Sequence, residues 1–157
     1  MIKRIIAILT AAALIFLLCG CSKTDTSSKE AEAAAGKYTF YAVRMGGSYI
    51  SVDEMEGQSV TLNADGTGEL DWGENNRGPI SEWTINGENL VIKAGVSVME
   101  AVLNDGVLMI DISSDEYSWY TCYVNDKADT SDMKRISADE YAAQVAGSSE
   151  NKPSSSE

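Results

Sequence analysis

Three thiols, two acid pairs, one loop of oxygen donors and a set of aromatic side chains are what this 157-residue chain offers for chemistry. There is no histidine, which removes the commonest general base and zinc ligand and excludes Ser-His-Asp and Cys-His nucleophile systems. Asn63 to Glu74 places oxygen-bearing side chains at positions 1, 3, 5, 9 and 12 of a twelve-residue run, with Gly68 at 6, a partial match to a calcium loop. Asn63 and Thr67 stand where such loops prefer carboxylates, and the flanks read as strands, so a hairpin turn with solvated acids is the better reading and no metal is expected. The acid pairs Glu54/Glu56 and Asp115/Glu116 would need a fixed separation across a cleft to cleave a glycosidic bond. Nothing in the sequence sets them facing each other, so no catalytic residue, enzymatic activity or cofactor is expected. Cys122 alternates in phase with Tyr120 and Val124 and reads as a small buried hydrophobe, since no neighbouring cation or helix start would activate it. Tyr38, Phe40, Trp72, Trp83 and Tyr120, with Trp119, would either line an apolar ligand pocket or simply fill a small core.

The other two thiols sit at the end of a distinctive N-terminal segment. Lys3 and Arg4 precede an apolar run, Ile5 to Leu18, broken only by Thr10. Its 14 residues fall short of the roughly 20 that span a bilayer, and the pattern is that of a secretory signal. Leu18-Cys19-Gly20-Cys21 resembles the lipobox of bacterial lipoproteins: an aliphatic residue, two small residues and an obligatory cysteine. The alternative is an ordinary signal cut near Gly20. The resemblance implies that residues 1–20 are removed, that Cys21 receives a diacylglycerol and becomes the new N-terminus, and that the chain is held at the outer side of the cell membrane. Two or more acyl chains make a lasting anchor where one does not.

Removing residues 1–20 takes away Lys3, Arg4 and no acid, so 10 cations and 24 acids remain, a net charge of −14. Such a chain offers no basic patch for nucleic acid; the charge serves solubility at the cell surface. With Cys21 acylated, Cys122 has no partner within the chain, so the fold is not disulfide-stapled.

These residues have to be positioned by a domain of about 111 residues. Residues 21–35, rich in Ser, Thr, Ala, Lys and Glu, read as a flexible tether with a helical turn at Ala31–Ala35; residues 147–157 read as a disordered Ser-rich tail. Between them, 36–146 carries about eight short strands: 37–45, 59–63, 69–72, 81–85, 90–93, 98–104, 107–112 and 117–124. Gly46-Gly47, Asp65-Gly66, Asn86-Gly87 and Asp105-Gly106 mark the turns that force neighbouring strands antiparallel. Leu70 with Trp72, Trp83 with Ile85, and Leu108 with Ile110 and Ile112 fall on inward faces. Asn75–Pro79 reads as a loop. Ser51–Glu54 and Ser137–Glu140 are capping boxes; the second starts a helix to about Val145 that packs Tyr141, Ala142 and Val145 on the outside of the sheet. The expected architecture is all-β: an antiparallel meander closing into a small barrel, with a short C-terminal helix.

Gly36-Lys37-Tyr38, eight meandering strands and the C-terminal helix resemble the lipocalin-like group, and Leu62 to Gly68 and Leu103 to Leu108 resemble phrases of small lipocalin-like lipoproteins of Gram-positive gut bacteria. Tyr38 stands where lipocalins usually have tryptophan. The resemblance implies a non-catalytic domain that binds a small apolar or amphipathic ligand, or an envelope glycan. The competing expectation is a filled barrel whose surface meets another envelope protein.

Overall fold

The computed structural model describes residues 25–74 and 76–150. The signal expected at 1–20, the acylation expected at Cys21 and residues 151–157 of the expected tail lie outside them. Helix α1 (Asp25–Ala34) is followed by β1 (Gly36–Met45), β2 (Ser48–Ile50), a 3-10 turn (Asp53–Met55), β3 (Ser59–Leu62), β4 (Gly68–Asp71) and β5 (Arg77–Ile80). Then come β6 (Glu82–Asn86), β7 (Asn89–Ala94), β8 (Ser97–Asn104), β9 (Val107–Asp111), β10 (Trp119–Val124), β11 (Arg135–Ile136) and helix α2 (Ala138–Glu150).

Nine strands follow one antiparallel path, β5-β4-β3-β1-β10-β9-β8-β7-β6, which curls into a nearly closed barrel. Two-residue hairpins account for the antiparallel order. Gly46 and Gly47 join β1 to β2 with φ of +54° and +89°, and Asp105 and Gly106 join β8 to β9 at +47° and +79°, the paired positive values of a tight hairpin turn. The ends of the path, β5 and β6, are drawn together by Ser81 N–H donating to Lys93 O at 2.9 Å and Trp83 N–H donating to Gly66 O at 2.6 Å.

The barrel is filled by its own side chains. Tyr38, Phe40 and Val43 from β1 meet Val60, Leu62, Leu70, Ile80 and Trp83 on one side. Leu90, Ile92, Ala101, Leu108, Ile110 and Tyr123 complete the cluster from the other. Phe40 and Tyr123 pack edge to face, ring centres 5.9 Å apart, a favoured aromatic geometry.

Several elements depart from the sequence pattern. Most of the stretch expected as a loop, Asn75–Pro79, belongs to strand β5 (Arg77–Ile80); it ends the path, where Pro79 removes no ladder bond that the sheet needs. Ile112 is exposed because β9 ends at Asp111. The ladder between β1 and β10 slips between Phe40 and Ala42. This bulge shifts the phase of β1: Tyr38 and Phe40 enter the core before it, Val43 after it. Residues 21–35, read as a coil apart from one turn, contain the ten-residue helix α1. Good helix formers fill its second part, Lys29 to Ala34, and it joins the folded unit through Ala34, 3% exposed within the core cluster. No large apolar residue advertised this; two small ones, Ala31 and Ala34, are enough to dock it.

The outer face is crossed by the segment after β10. Asn125 N–H bonds Gly106 O at 3.0 Å, Met133 is buried, and β11 pairs in parallel with β2. Tyr41, at the bulge, donates its hydroxyl to Met133 O at 2.6 Å. Arg135 returns the contact: its guanidinium bonds Tyr41 O at 2.9 Å and Glu56 at 3.0 Å, and lies over the Tyr41 ring. The Ser137 capping box forms as expected, with Glu140 N–H to Ser137 Oγ at 3.1 Å and Ser137 N–H to Glu140 Oε2 at 2.8 Å. The proposed box at Ser51 does not: its turn is a single 3-10 turn with Val52 as N-cap and no side-chain bond. Helix α2 runs on to Glu150, past the expected stop near Val145 and into the stretch read as a disordered tail. It does not lie flat on the barrel: Tyr141 is half-buried, while Ala142 and Val145 are exposed. Among the described residues no helix is long and apolar enough to cross a membrane.

Candidate functional site

The five aromatics expected to share a pocket do not share one. Tyr38, Phe40 and Trp83 are in the core. Trp72 follows the last residue of β4 and is 38% exposed, because the strand ends before the side chain can turn inward. Tyr120 is half-buried on the outward phase of β10. Tyr123, not singled out in the sequence, is the β10 aromatic inside. The two inward positions of β10, Thr121 and Tyr123, alternate with Tyr120, Cys122 and Val124 as the pleat requires. That alternation was readable; which of its two faces turned inward was not.

Inside the barrel, Tyr38 donates its hydroxyl to Ala34 O at 2.6 Å. Burial pushes its pKa up, opposed by a hydrogen bond from the Asn125 side chain. The Tyr123 hydroxyl is buried without a partner of full hydrogen-bond geometry; burial raises it to about 12, although the nearby Thr121 hydroxyl acts the other way. Cys122 is fully buried. Burial lifts its thiol to about 11, against the pull of Arg44.

The Asn63 loop is a hairpin turn. The Asp65 carboxylate accepts from Thr67 Oγ1 at 2.6 Å and from Thr67 N–H at 2.9 Å. These two bonds, the hydroxyl first, hold its pKa below the usual value. Among the described residues no group of three or more metal-ligating side chains converges.

Two surface features remain. At one end of the barrel, a cleft of about 520 Å³ lies between α1, the β6–β7 and β8–β9 turns and the start of the outer strap. At the other, the β9–β10 connection projects an exposed apolar patch. Tyr117, 58% exposed, packs on Trp119, 36% exposed, with ring centres 5.9 Å apart, and Ile112 stands beside them. The loop is well bonded. Ile112 N–H donates to Trp119 O at 3.0 Å, Ser114 N–H to Tyr117 O at 2.9 Å, and Trp119 N–H to Ser113 Oγ at 3.0 Å. Asp111 accepts from Ser113 and is held below its usual pKa by it. Asp115 and Glu116 form the tip, so the patch is aromatic and acidic at once.

Compared with protein-family models, with curated proteins and with solved structures, the chain matches none.

Proposed function

We propose that this chain is a lipid-anchored lipoprotein on the extracellular side of the cell membrane, and that its filled barrel is a non-catalytic interaction module. The observation behind this reading is the β9–β10 connection: two exposed aromatics and an isoleucine, held by local hydrogen bonds, on a domain whose interior its own side chains occupy. Ordered aromatics of this kind anchor interfaces at low entropic cost. The acids at the tip select a partner segment carrying lysine or arginine beside apolar residues.

The orientation agrees with that role. Cys21 lies four residues before α1, and α1 docks at the barrel end opposite the β9–β10 connection. A chain anchored at Cys21 therefore holds the aromatic patch away from the membrane.

Two measurements test the proposal. Metabolic acyl labelling is expected to mark the wild type and not Cys21→Ser; a mutant that is still labelled ends the lipoprotein reading. A photo-crosslinker at position 116, used in intact cells, is expected to join one envelope protein through a basic and apolar segment, and Tyr117→Ala with Trp119→Ala is expected to abolish that adduct. An adduct indifferent to the double substitution ends the interaction reading.

A second reading, a small apolar or amphipathic ligand held by the domain, is favoured by the cleft at the α1 end, whose volume lies in the range of ligand sites.

A further inference from the structure

The α1-end cleft combines apolar walls, a fixed rim and unmatched charge. Ile85 and Leu103 are half-buried on its walls, and Ala33 of α1 faces them. The floor is Tyr38, whose hydroxyl is already committed to Ala34 O. The rim is held in place. Asn125 N–H bonds Gly106 O at 3.0 Å, and the Asn125 side chain accepts from Lys127 N–H at 3.0 Å. A Cβ on Gly106 would collide with the Asn125 side chain and with Ala128, so the turn and the strap fit closely at this point.

The charges around this space do not cancel. Glu30, Asp105 and Asp129 line it against the single cation Lys127, and among the described residues no ion pair joins any of them. Asp129 is held in its ionised form by Ser131, whose backbone N–H donates to it at 2.9 Å. The volume and the apolar walls make the site; the surplus of acids sets the sign of what enters it.

We infer that the cleft between α1 and the β8–β9 turn binds a small amphiphile with one positive charge, its apolar body against Ile85 and Leu103 and its ammonium group toward Glu30 and Asp105. This rests on the reading of the domain as a holder of small ligands and adds the class of the ligand. Helix α1 then serves as one wall of the site as well as the link to the anchor.

Amide chemical-shift titration of the full-length Cys21→Ser chain with octylammonium, octanoate and octyl glucoside separates the outcomes. Octylammonium is expected to shift the amides of Ile85, Leu103 and Gly106 in a saturable way. Ala33→Trp, on the exposed flank of α1, is expected to abolish those shifts by filling the cleft. Glu30→Gln with Asp105→Asn leaves the cleft open and keeps a residue that tolerates positive φ at 105; it is expected to weaken binding by about threefold to tenfold. Octanoate or octyl glucoside binding there as well as octylammonium overturns the charge class and leaves the ligand-holding reading standing. No saturable shift with any of the three overturns both.

Discussion

Trp83 closes the barrel by reaching the β3–β4 turn: its indole N–H donates to Thr67 O at 2.9 Å and is shared with Asn63 O at 3.0 Å. The two residues lie on opposite sides of the gap between the path's ends. The ring adds core contact, being only 3% exposed. One side chain thus fills the interior and caps two buried-side carbonyls where no strand ladder runs.

Trp83→Phe keeps most of the ring and removes the donor. It is expected to destabilise the domain by about 0.5–1.5 kcal/mol, the net worth of one hydrogen bond, because Thr67 O and Asn63 O keep the backbone N–H groups of Asn63 and Gly66. Trp83→Ala should cost about 3–5 kcal/mol. Denaturant unfolding measures both, and a Phe variant equal to wild type would remove the closing role of the indole.

Gly68 begins β4 opposite Leu62, and a Cβ there would run into the Thr61 carbonyl. Its φ is not positive, so the requirement is close approach rather than backbone freedom. Gly68→Ala is expected to cost about 1–3 kcal/mol through forced strand separation. Gly78, where a Cβ meets nothing, is the control: Gly78→Ala should leave the unfolding midpoint nearly unchanged. Equal effects at the two positions would contradict the contact argument.

Cys122 is expected to resist thiol reagents in the folded protein, because burial holds it as the neutral thiol to about pH 11. Peptide mapping after labelling at pH 8 should find it modified only when denaturant is present. Rapid native labelling would mean that the outer strap opens readily.

Stability should fall at both extremes of pH. Cys122 and Tyr123 hold their protons to about 11 and 12 when folded, against 9.0 and 10.0 otherwise. The unfolded chain therefore releases them first, and the stability they contribute is lost as pH rises beyond 9. Asp65, Asp111, Asp129 and Glu140 have the opposite sign, with folded values below 3.8 for the aspartates and below 4.5 for the glutamate. Their contribution is present above those values and is lost as pH falls through the lower folded ones. Thermal melts across pH 2–11 check both limbs. Cys122→Ala should flatten the alkaline limb and leave the acid limb alone.

Much of this fold was legible along the chain because its information is local. Gly46-Gly47 and Asp105-Gly106 can take two successive positive φ values at low cost, so they declare hairpins wherever they stand. Alternating Val60/Leu62, Leu90/Ile92 and Leu108/Ile110 declare one apolar face per strand. The Ser137 capping box declares its helix through contacts that span four residues.

The tertiary structure decided what depends on partners far along the chain. The bulge at Tyr41 is defined against β10 and changes which residues of β1 reach the core. Helix α1 docks through Ala34 because the barrel end offers Tyr38 and a shallow seat, something its own small side chains cannot announce. Trp72 and Tyr120 look as apolar as Trp83 and Tyr123, yet strand ends and pleat phase turned the first two outward and the last two in. Composition and hairpins are written in short-range chemistry. The filled interior, the cleft under α1 and the outward aromatic pair arise only when distant strands compete for the same enclosed volume.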